Sequence, residues 1–310
     1  MDRYDFVIVG AGMAGLSAGL YAGWLGHPTL VLERELVGGQ VINADRIENF
    51  PGFPDGVSGA DLITQTRTQA LRFAIKTAYQ EAKEIQQVGK NWLVRATESE
   101  YEAKAVIIAS GGRRRALGIK GETELEGRGV SHCATCDGAF YPDKPVIVLG
   151  GGDTAVDEAL FLTAFASKVT ILHRGNDLDA SPTLIRRAQE NPKIEFILGS
   201  ILEEICGGSA VETVRLRNVK TQGSSSLAVA GIFICVGFEA ATGFLRGLVN
   251  LDPQGHVEVD LSMQTSKAGI FAAGYARQRT SGQLVSVAGD GVTAAVAAHC
   301  YIQAGPSGNS

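Results

Sequence analysis

An α/β chain built of two similar units is predicted by three observations. A β-branched strand running into a glycine-rich turn, a helix and a second strand occurs twice, from residue 4 and again from residue 144. Apolar strand-like runs that end in Gly and small residues recur downstream of each copy. At 310 residues and 45% hydrophobic content the chain can bury two cores of ordinary size. The fold class that follows is two Rossmann-like, three-layer dinucleotide-binding domains, the second inserted in the first.

The first copy opens with "YDFVIVGAGMAG", a buried-strand pattern ending in Gly10-x-Gly12-x-x-Gly15. The helix-like "LSAGLYAGWLG" and the strand "PTLVLE" follow, and "AKAVIIASGG" closes the sheet before residue 113. The second copy, "KPVIVLGGGDTA", carries Gly150-x-Gly152-x-x-Ala155, then the helical "VDEALFLTAFA" and the strand "KVTILHR". One such turn is weak evidence; two, each between strand and helix, point to dinucleotide binding. "AGIFICVGFE" and "AGIFAAG" read as later strands of the two sheets. This order places a first domain over 1–113 and 244–310 and an inserted domain over 114–243. The tail "AGPSGNS" has the composition of a frayed terminus.

Composition narrows the function classes. A formal net charge of -5 without a long basic run argues against a nucleic-acid partner, and Arg113, Arg114 and Arg115 read as a solvated turn. Asp2, Arg3 and Asp5 precede the apolar start and glycines break it, so it reads as a strand and turn, not a leader. No stretch supplies the roughly 18 to 20 unbroken apolar residues of a membrane span. Five cysteines, an odd number, argue against a disulfide scaffold and for a reducing, cytoplasmic setting. Cys206, Cys235 and Cys300 stand singly and read as buried or inert thiols.

The two turns differ at one place. Glu33 ends the second strand of the first copy, where an acid accepts hydrogen bonds from adenosine ribose hydroxyls. The same offset in the second copy reaches His173, followed by Arg174, and cations there favour the 2′-phosphate of NADPH. Between the turns lies Cys133-x-x-Cys136. Zinc needs four ligands and no second C-x-x-C or C-x-x-H occurs, so no metal is expected. A bridge over so short a loop removes little entropy from the unfolded chain, which weakens a purely structural role. A redox pair remains. Asp137, directly after Cys136, is placed to move the proton that thiol–disulfide chemistry exchanges.

Taken together the motifs resemble thioredoxin reductases of the low-molecular-weight bacterial type. The likeness spans nearly the whole chain and rests on "GAGMAG", "GGQ" at 38–40, "ENFPGFPDGVSG" at 48–59, "GVSHCATCDGAFY" at 129–141, "GGGDTAVDEAL" at 150–160 and "AGIFAAG" at 268–274. It implies FAD in the first domain, NADPH in the second, a thioredoxin-like protein substrate, a homodimer and a rotation between domains. By the same resemblance Cys136 faces the flavin, Cys133 attacks the substrate disulfide and Asp137 is the acid/base. The implied FAD contacts are Gly10, Gly12, Ala14, Gly15, Glu33, Gly39, Gln40, Asn49, Ala109, Gly274, Tyr275, Gln283 and Leu284. Those for NADPH are Gly150, Gly152, Asp153, Thr154, Ala155, His173 and Arg174.

Three departures set this chain apart from the pattern. The family's H-R-R-x-x-x-R reads "HRGNDLD" here, with Gly175 and Asp179 in place of two arginines. Tyr275 replaces the aspartate of A-A-G-D, and the same loop carries Arg277, Arg279 and Gly282, the last where the family commonly has Arg. Four readings stay open: an NADPH-dependent thioredoxin reductase with a relaxed phosphate site; a relative fed by ferredoxin or a second flavin; a dithiol oxidase; and a flavin-binding redox sensor without turnover.

Overall fold

The computed structural model describes residues 1–305; residues 306–310, part of the tail expected to fray, lie outside the described residues. The chain forms two compact units, Met1–Arg113 with the chain from Glu239 onward, and Arg114–Phe238. The second crossing falls at Phe238/Glu239 and not at the 243/244 boundary expected from the sequence. Residues 239–243 are tied to the first unit, because Ala241 N donates to Gly111 O at 3.0 Å and buried Thr242 donates to Gly255 O.

Along the chain the first unit supplies β1 (Asp2–Val9), α1 (Met13–Trp24), β2 (Thr29–Glu33), α2 (Gly59–Leu71), β3 (Lys76–Tyr79), β4 (Ala82–Val88), β5 (Asn91–Ala96) and β6 (Glu100–Ile108). β7 (Gly112–Arg114) leads out of it, so Arg113 and Arg114 are exposed as expected but lie in a strand and not a turn. The second unit supplies β8 (Val130–Ser131), α3 (Ala134–Asp137), β9 (Pro145–Leu149), α4 (Asp153–Leu162), β10 (Lys168–Leu172), α5 (Pro182–Glu190), β11 (Ile194–Ile197), β12 (Ser200–Cys206), β13 (Thr213–Asn218), β14 (Ser224–Ala228) and β15 (Gly231–Ile234). β16 (Phe238–Ala240), paired with β7, returns the chain to β17 (Ile270–Ala272) and α6 (Leu284–Ala304).

The first sheet has the order β3-β2-β1-β6-β5-β4, with β17 on β6. β1 is buried on both faces, which is why it reads as a continuous apolar run. Phe6 and Ile8 point into the core shared with α1 and α6, whereas Val7 and Val9 point into the opposite one. Phe6, Ile8, Leu16 and Phe271 are fully buried, each contributing about 1.5–3 kcal/mol by leaving water.

Helix α6 is long and apolar enough to cross a membrane, a feature not anticipated from the sequence. In the fold one face of small residues packs against α1, and 28% of its apolar window is buried. Its Gly291, Ala294, Ala295 and Ala298 are buried, and a Cβ at Gly291 would come within 2.1 Å of Ala14 O on α1. Cys300 on this helix is exposed and Cys206 and Cys235 are half-buried, so none of the three expected buried or inert thiols is fully buried.

The second unit holds an all-parallel sheet, β11-β10-β9-β15-β8. Helices α4 and α5 pack on one face, and the antiparallel sheet β12-β13-β14 packs on the other. Each unit is thus a three-layer α/β body of the kind the sequence predicts.

Candidate functional site

At the first turn, β1 ends and Gly10 adopts φ +106°. A Cβ there would lie 2.3 Å from Ala109 O at the end of β6, so only glycine lets the two strand ends meet. This is the switch point of the sheet, because β2 and β6 lie on opposite sides of β1. Helix α1 starts at Met13 after Gly12, with no side-chain cap and no acid in its first turn, which leaves its amides to an anion. Glu33 reaches back from β2: its Oε2 accepts from Ala11 N at 2.8 Å and its Oε1 from Glu35 N at 3.0 Å. Ser110 Oγ is buried beside the turn without a hydrogen-bond partner among the described residues.

The structure brings Gly10, Gly12, Ala14, Gly15, Glu33, Gly39, Ala109 and Gly274 to this turn. A Cβ at Gly39 would lie 3.6 Å from Gly12, and one at Gly274 would lie 2.9 Å from Ala14. Asn49 and Gln283 form a second pair, Nδ2 donating to Oε1 at 3.2 Å, and Leu284 follows as the first residue of α6. Gln40 is exposed in the 3-10 turn Gly39–Asn43. The Tyr275 ring lies edge-on to His256, with centroids 5.5 Å apart.

Sequence reasoning missed the residue that rebuilds this loop. Asp290, buried on α6, accepts from Arg277 Nε and Nη2, both at 2.8 Å, and from Gly274 N at 3.2 Å. A carboxylate therefore still faces the Gly274 turn although position 275 is a tyrosine. The available signal was an aspartate in the middle of an apolar helix, a buried charge that demands a partner.

The second turn repeats the backbone. Gly150 has φ +147°, and a Cβ there would lie 2.3 Å from Cys235 O. Helix α4 starts at Asp153 after Gly152, without a side-chain cap on its N-terminus. Here the loop after β10 folds onto the turn: Asp179 N donates to Gly151 O at 2.8 Å, and Ser181 N donates to Asp153 Oδ1 at 2.6 Å. The His173 ring is wedged between Gly151 and Gly175, where added Cβ atoms would come within 2.4 Å and 2.6 Å of it. Its Nε2 lies 3.8 Å from Asp179 Oδ2. Ala155 is buried behind the turn, while Thr154 and Arg174 are exposed.

Cys133 and Cys136 are joined as a disulfide around the single turn of α3. Cys136 N donates to Cys133 Sγ at 3.2 Å. Ser131, also missed from the sequence, holds the loop: its Oγ donates to Asp137 Oδ2 at 2.6 Å and accepts from Cys133 N at 3.1 Å. The Asp137 carboxyl is thus tied to the backbone of the cysteine it would serve. Burial and the nearby Asp137 charge push the Tyr141 phenol above its ordinary range.

A Cys-x-x-Cys disulfide in a unit with its own glycine turn, in a chain with a second such turn, agrees with the comparisons to known proteins. The Pyridine nucleotide-disulphide oxidoreductase family matches residues 4–291. The chain belongs to this family. Among its relatives in the family, a thioredoxin reductase of Listeria innocua is 41% identical over 301 residues, covering 97% of this chain and 94% of that one. One of Helicobacter pylori is 41% identical over 96% of this chain and 99% of its own. The crystal structure of Lactococcus lactis thioredoxin reductase superposes with a TM-score of 0.95 at 38% identity, covering 97% and 99% of the two chains. The pyridine nucleotide-disulphide oxidoreductase architecture accounts for both glycine turns and for the cysteine pair in one chain.

Proposed function

We propose that this chain is a thioredoxin-disulfide reductase that uses NADPH at the Gly150 turn and FAD at the Gly10 turn to keep Cys133 and Cys136 reduced. The observation that carries the reading is the Cys133–Cys136 disulfide, bonded through Ser131 to Asp137, in a chain about 40% identical to named thioredoxin reductases. FAD, when bound, supplies the two-electron chemistry. The residues at the first turn fit it: a glycine cradle, an uncapped helix, Glu33 for the ribose and an unpartnered Ser110 hydroxyl. Gly150, Gly152, Asp153, Thr154 and Ala155 fit a nicotinamide dinucleotide, with His173 and Arg174 toward its adenosine end.

The cysteines then carry out the exchange, with Asp137 holding the proton that Cys133 gives up. The Cys133 thiolate attacks one sulfur of the substrate disulfide, forming a mixed disulfide and expelling the other sulfur as a thiolate, which takes a proton from Asp137. Cys136, deprotonated in turn, attacks the Cys133 sulfur. This restores the Cys133–Cys136 bond and expels the second substrate sulfur as a thiolate, which takes the proton that Asp137 accepted from Cys136. The substrate class is a thioredoxin-like protein, and the working form is a cytoplasmic homodimer.

One observation favours a second donor. The loop that ties Asp179 and Ser181 onto the second turn puts an acid beside His173, where a phosphate would need cations. A structural relative, a Ferredoxin-Flavin Thioredoxin Reductase from Clostridium acetobutylicum, is 28% identical with a TM-score of 0.54. The deciding experiment adds NADPH, NADH or reduced ferredoxin anaerobically to the flavin-loaded protein and follows the flavin absorbance, then a thioredoxin disulfide. Bleaching by NADPH with reduction of thioredoxin supports the reading. No bleaching by NADPH, with bleaching by ferredoxin, replaces it with the second. A protein that takes up no flavin ends both.

A further inference from the structure

A buried sulfur that must carry charge needs hydrogen-bond donors from the protein, because water reaches it poorly and burial alone disfavours the thiolate. Cys133 is such a sulfur. It is 6% exposed, whereas Cys136, three residues on, is exposed to solvent. Two donors within the loop meet the Cys133 sulfur. Cys136 N donates to Cys133 Sγ at 3.2 Å, and Thr135 Oγ1 lies 3.3 Å from the same atom. A disulfide sulfur carries no hydrogen, so in that contact the hydroxyl is the donor. The backbone donor comes with whatever residue stands at 136. The hydroxyl is a property of the side chain at 135, and packing does not require it, because a valine has nearly the same shape.

We propose that Thr135 is a further catalytic residue: its hydroxyl donates to Cys133 Sγ and stabilises the thiolate that attacks the substrate disulfide. The inference deepens the function proposed above and rests on it in one respect, that Cys133 works as a thiolate. When that thiolate attacks, its electron pair forms the bond to the substrate sulfur, the substrate S–S bond breaks, and the charge moves away from the hydroxyl. The opposite occurs when a thiolate reductant attacks Cys136. A bond forms at Cys136 Sγ, the Cys133–Cys136 bond breaks, and its electron pair passes to Cys133, where the hydroxyl meets the charge again.

The sign follows from which form the bond favours. A hydrogen bond donated to the charged form stabilises it, so removing the hydroxyl raises the pH at which Cys133 ionises. The charged and titratable groups around the loop are Glu126 beside His132, Asp137 on Ser131, Tyr141, and Asp157, Glu158 and Arg114 about α4, which shares a core with Ala134. Every variant below keeps them.

The test titrates Cys133 in the flavin-loaded Cys136→Ser chain, kept reduced and labelled with carbon-13 at cysteine Cβ, by following the Cβ chemical shift from about pH 5 to 10. Serine at 136 keeps the backbone donor and leaves one thiol of the pair, so the coupled ionisation of two cysteines drops out. The shift reads protonation whether or not a reagent reaches the sulfur. Thr135→Val keeps the shape and loses the hydroxyl. It should raise the midpoint by about one pH unit, a roughly tenfold loss of thiolate on the acid side. Thr135→Ser keeps the hydroxyl, loses the methyl and should titrate close to the parent. A Thr135→Val midpoint that matches the parent overturns the proposal. So does a Thr135→Ser midpoint moved as far as that of Thr135→Val, which would assign the effect to shape. If Thr135→Val does not fold, Thr135→Ala takes its place, and an unmoved midpoint overturns the proposal equally. No nucleotide or protein disulfide enters the titration, so failure of the proposed electron donor or substrate leaves this result standing, and the reverse holds too.

Discussion

At the first glycine turn Glu33 reaches back from the end of β2 to the Ala11 amide, whereas at the second the matching strand end carries His173 and the acid, Asp179, arrives from a loop. The backbones are alike: a positive-φ glycine pressed against a neighbouring strand end, then a helix without a side-chain cap on its N-terminus. The ends that would meet an adenosine are not. The comparison teaches that glycine spacing specifies only the pyrophosphate cradle, while which nucleotide fits is decided by a few side chains that the spacing does not constrain. A second contrast follows. The Gly274 loop of the first unit is anchored by the bidentate pair of part-buried Arg277 with buried Asp290, whereas the loop over the second turn is held by single bonds at Asp179 and Ser181.

The largest effect should come from the cysteines, which belong to the second unit alone. Cys133→Ser or Cys136→Ser should abolish disulfide reduction while the protein stays yellow, because both belong to the second unit and the Gly10 turn is built by the first. A disulfide-reduction assay beside the visible spectrum checks both halves. Full activity in either variant would remove the pair from the reaction. Next, Asp137→Asn should slow turnover by roughly 10² to 10⁴, the usual worth of a positioned acid/base. Ser131→Ala, which frees the Asp137 carboxyl without removing it, should cost less; rates that are unaffected in both would reassign Asp137 to structure.

The anchoring contrast is broken by Asp290→Ala. It leaves the part-buried Arg277 guanidinium without its carboxylate, and should destabilise the first unit by roughly 1.5–3 kcal/mol, less than the about 3–5 kcal/mol of a fully buried pair. The readouts are the urea midpoint and the retention of flavin. Arg277→Met with Asp290→Leu should recover much of that loss, since an apolar pair of similar volume replaces the ions. If the single variant is as stable as wild type, the pair does not anchor the loop.

What was legible in the sequence follows the same division. Both turns could be read because Gly10 and Gly150 answer a backbone demand, a positive φ pressed against another strand, that few residues but glycine can meet. Asp290 and Ser131 could not, since each matters through a partner that only folding brings near: Arg277 across a loop, Asp137 across the turn of α3. The second crossing point was placed late because the 239–243 segment looks like loop until its bonds to Gly111 and Gly255 are seen. The membrane-length helix α6 escaped notice because glycines and one aspartate interrupt its apolar run.

The smallest expected effect tests the adenosine end of the second turn. Restoring the family's cations at both 175 and 179 is not open here, because a Cβ at Gly175 would come within 2.6 Å of the wedged His173 ring. Asp179→Arg alone leaves His173 in place, removes the anion and adds a cation where the 2′-phosphate would lie. One charge-assisted contact is worth about 1.5–3 kcal/mol, so NADPH should bind roughly tenfold to a hundredfold more tightly. NADH has no phosphate to meet the new charge and should bind nearly as before, which makes the ratio of the two the diagnostic quantity. Titration of the flavin-loaded protein with each nucleotide measures it. If the wild type already binds NADPH tightly and NADH poorly, Asp179 does not face the phosphate and the exposed Arg186 and Arg187 become the cations to test. If Asp179→Arg changes neither affinity, the loop tied to Gly151 and Asp153 keeps nucleotide from the turn. The two turns would then differ in access as well as in selection.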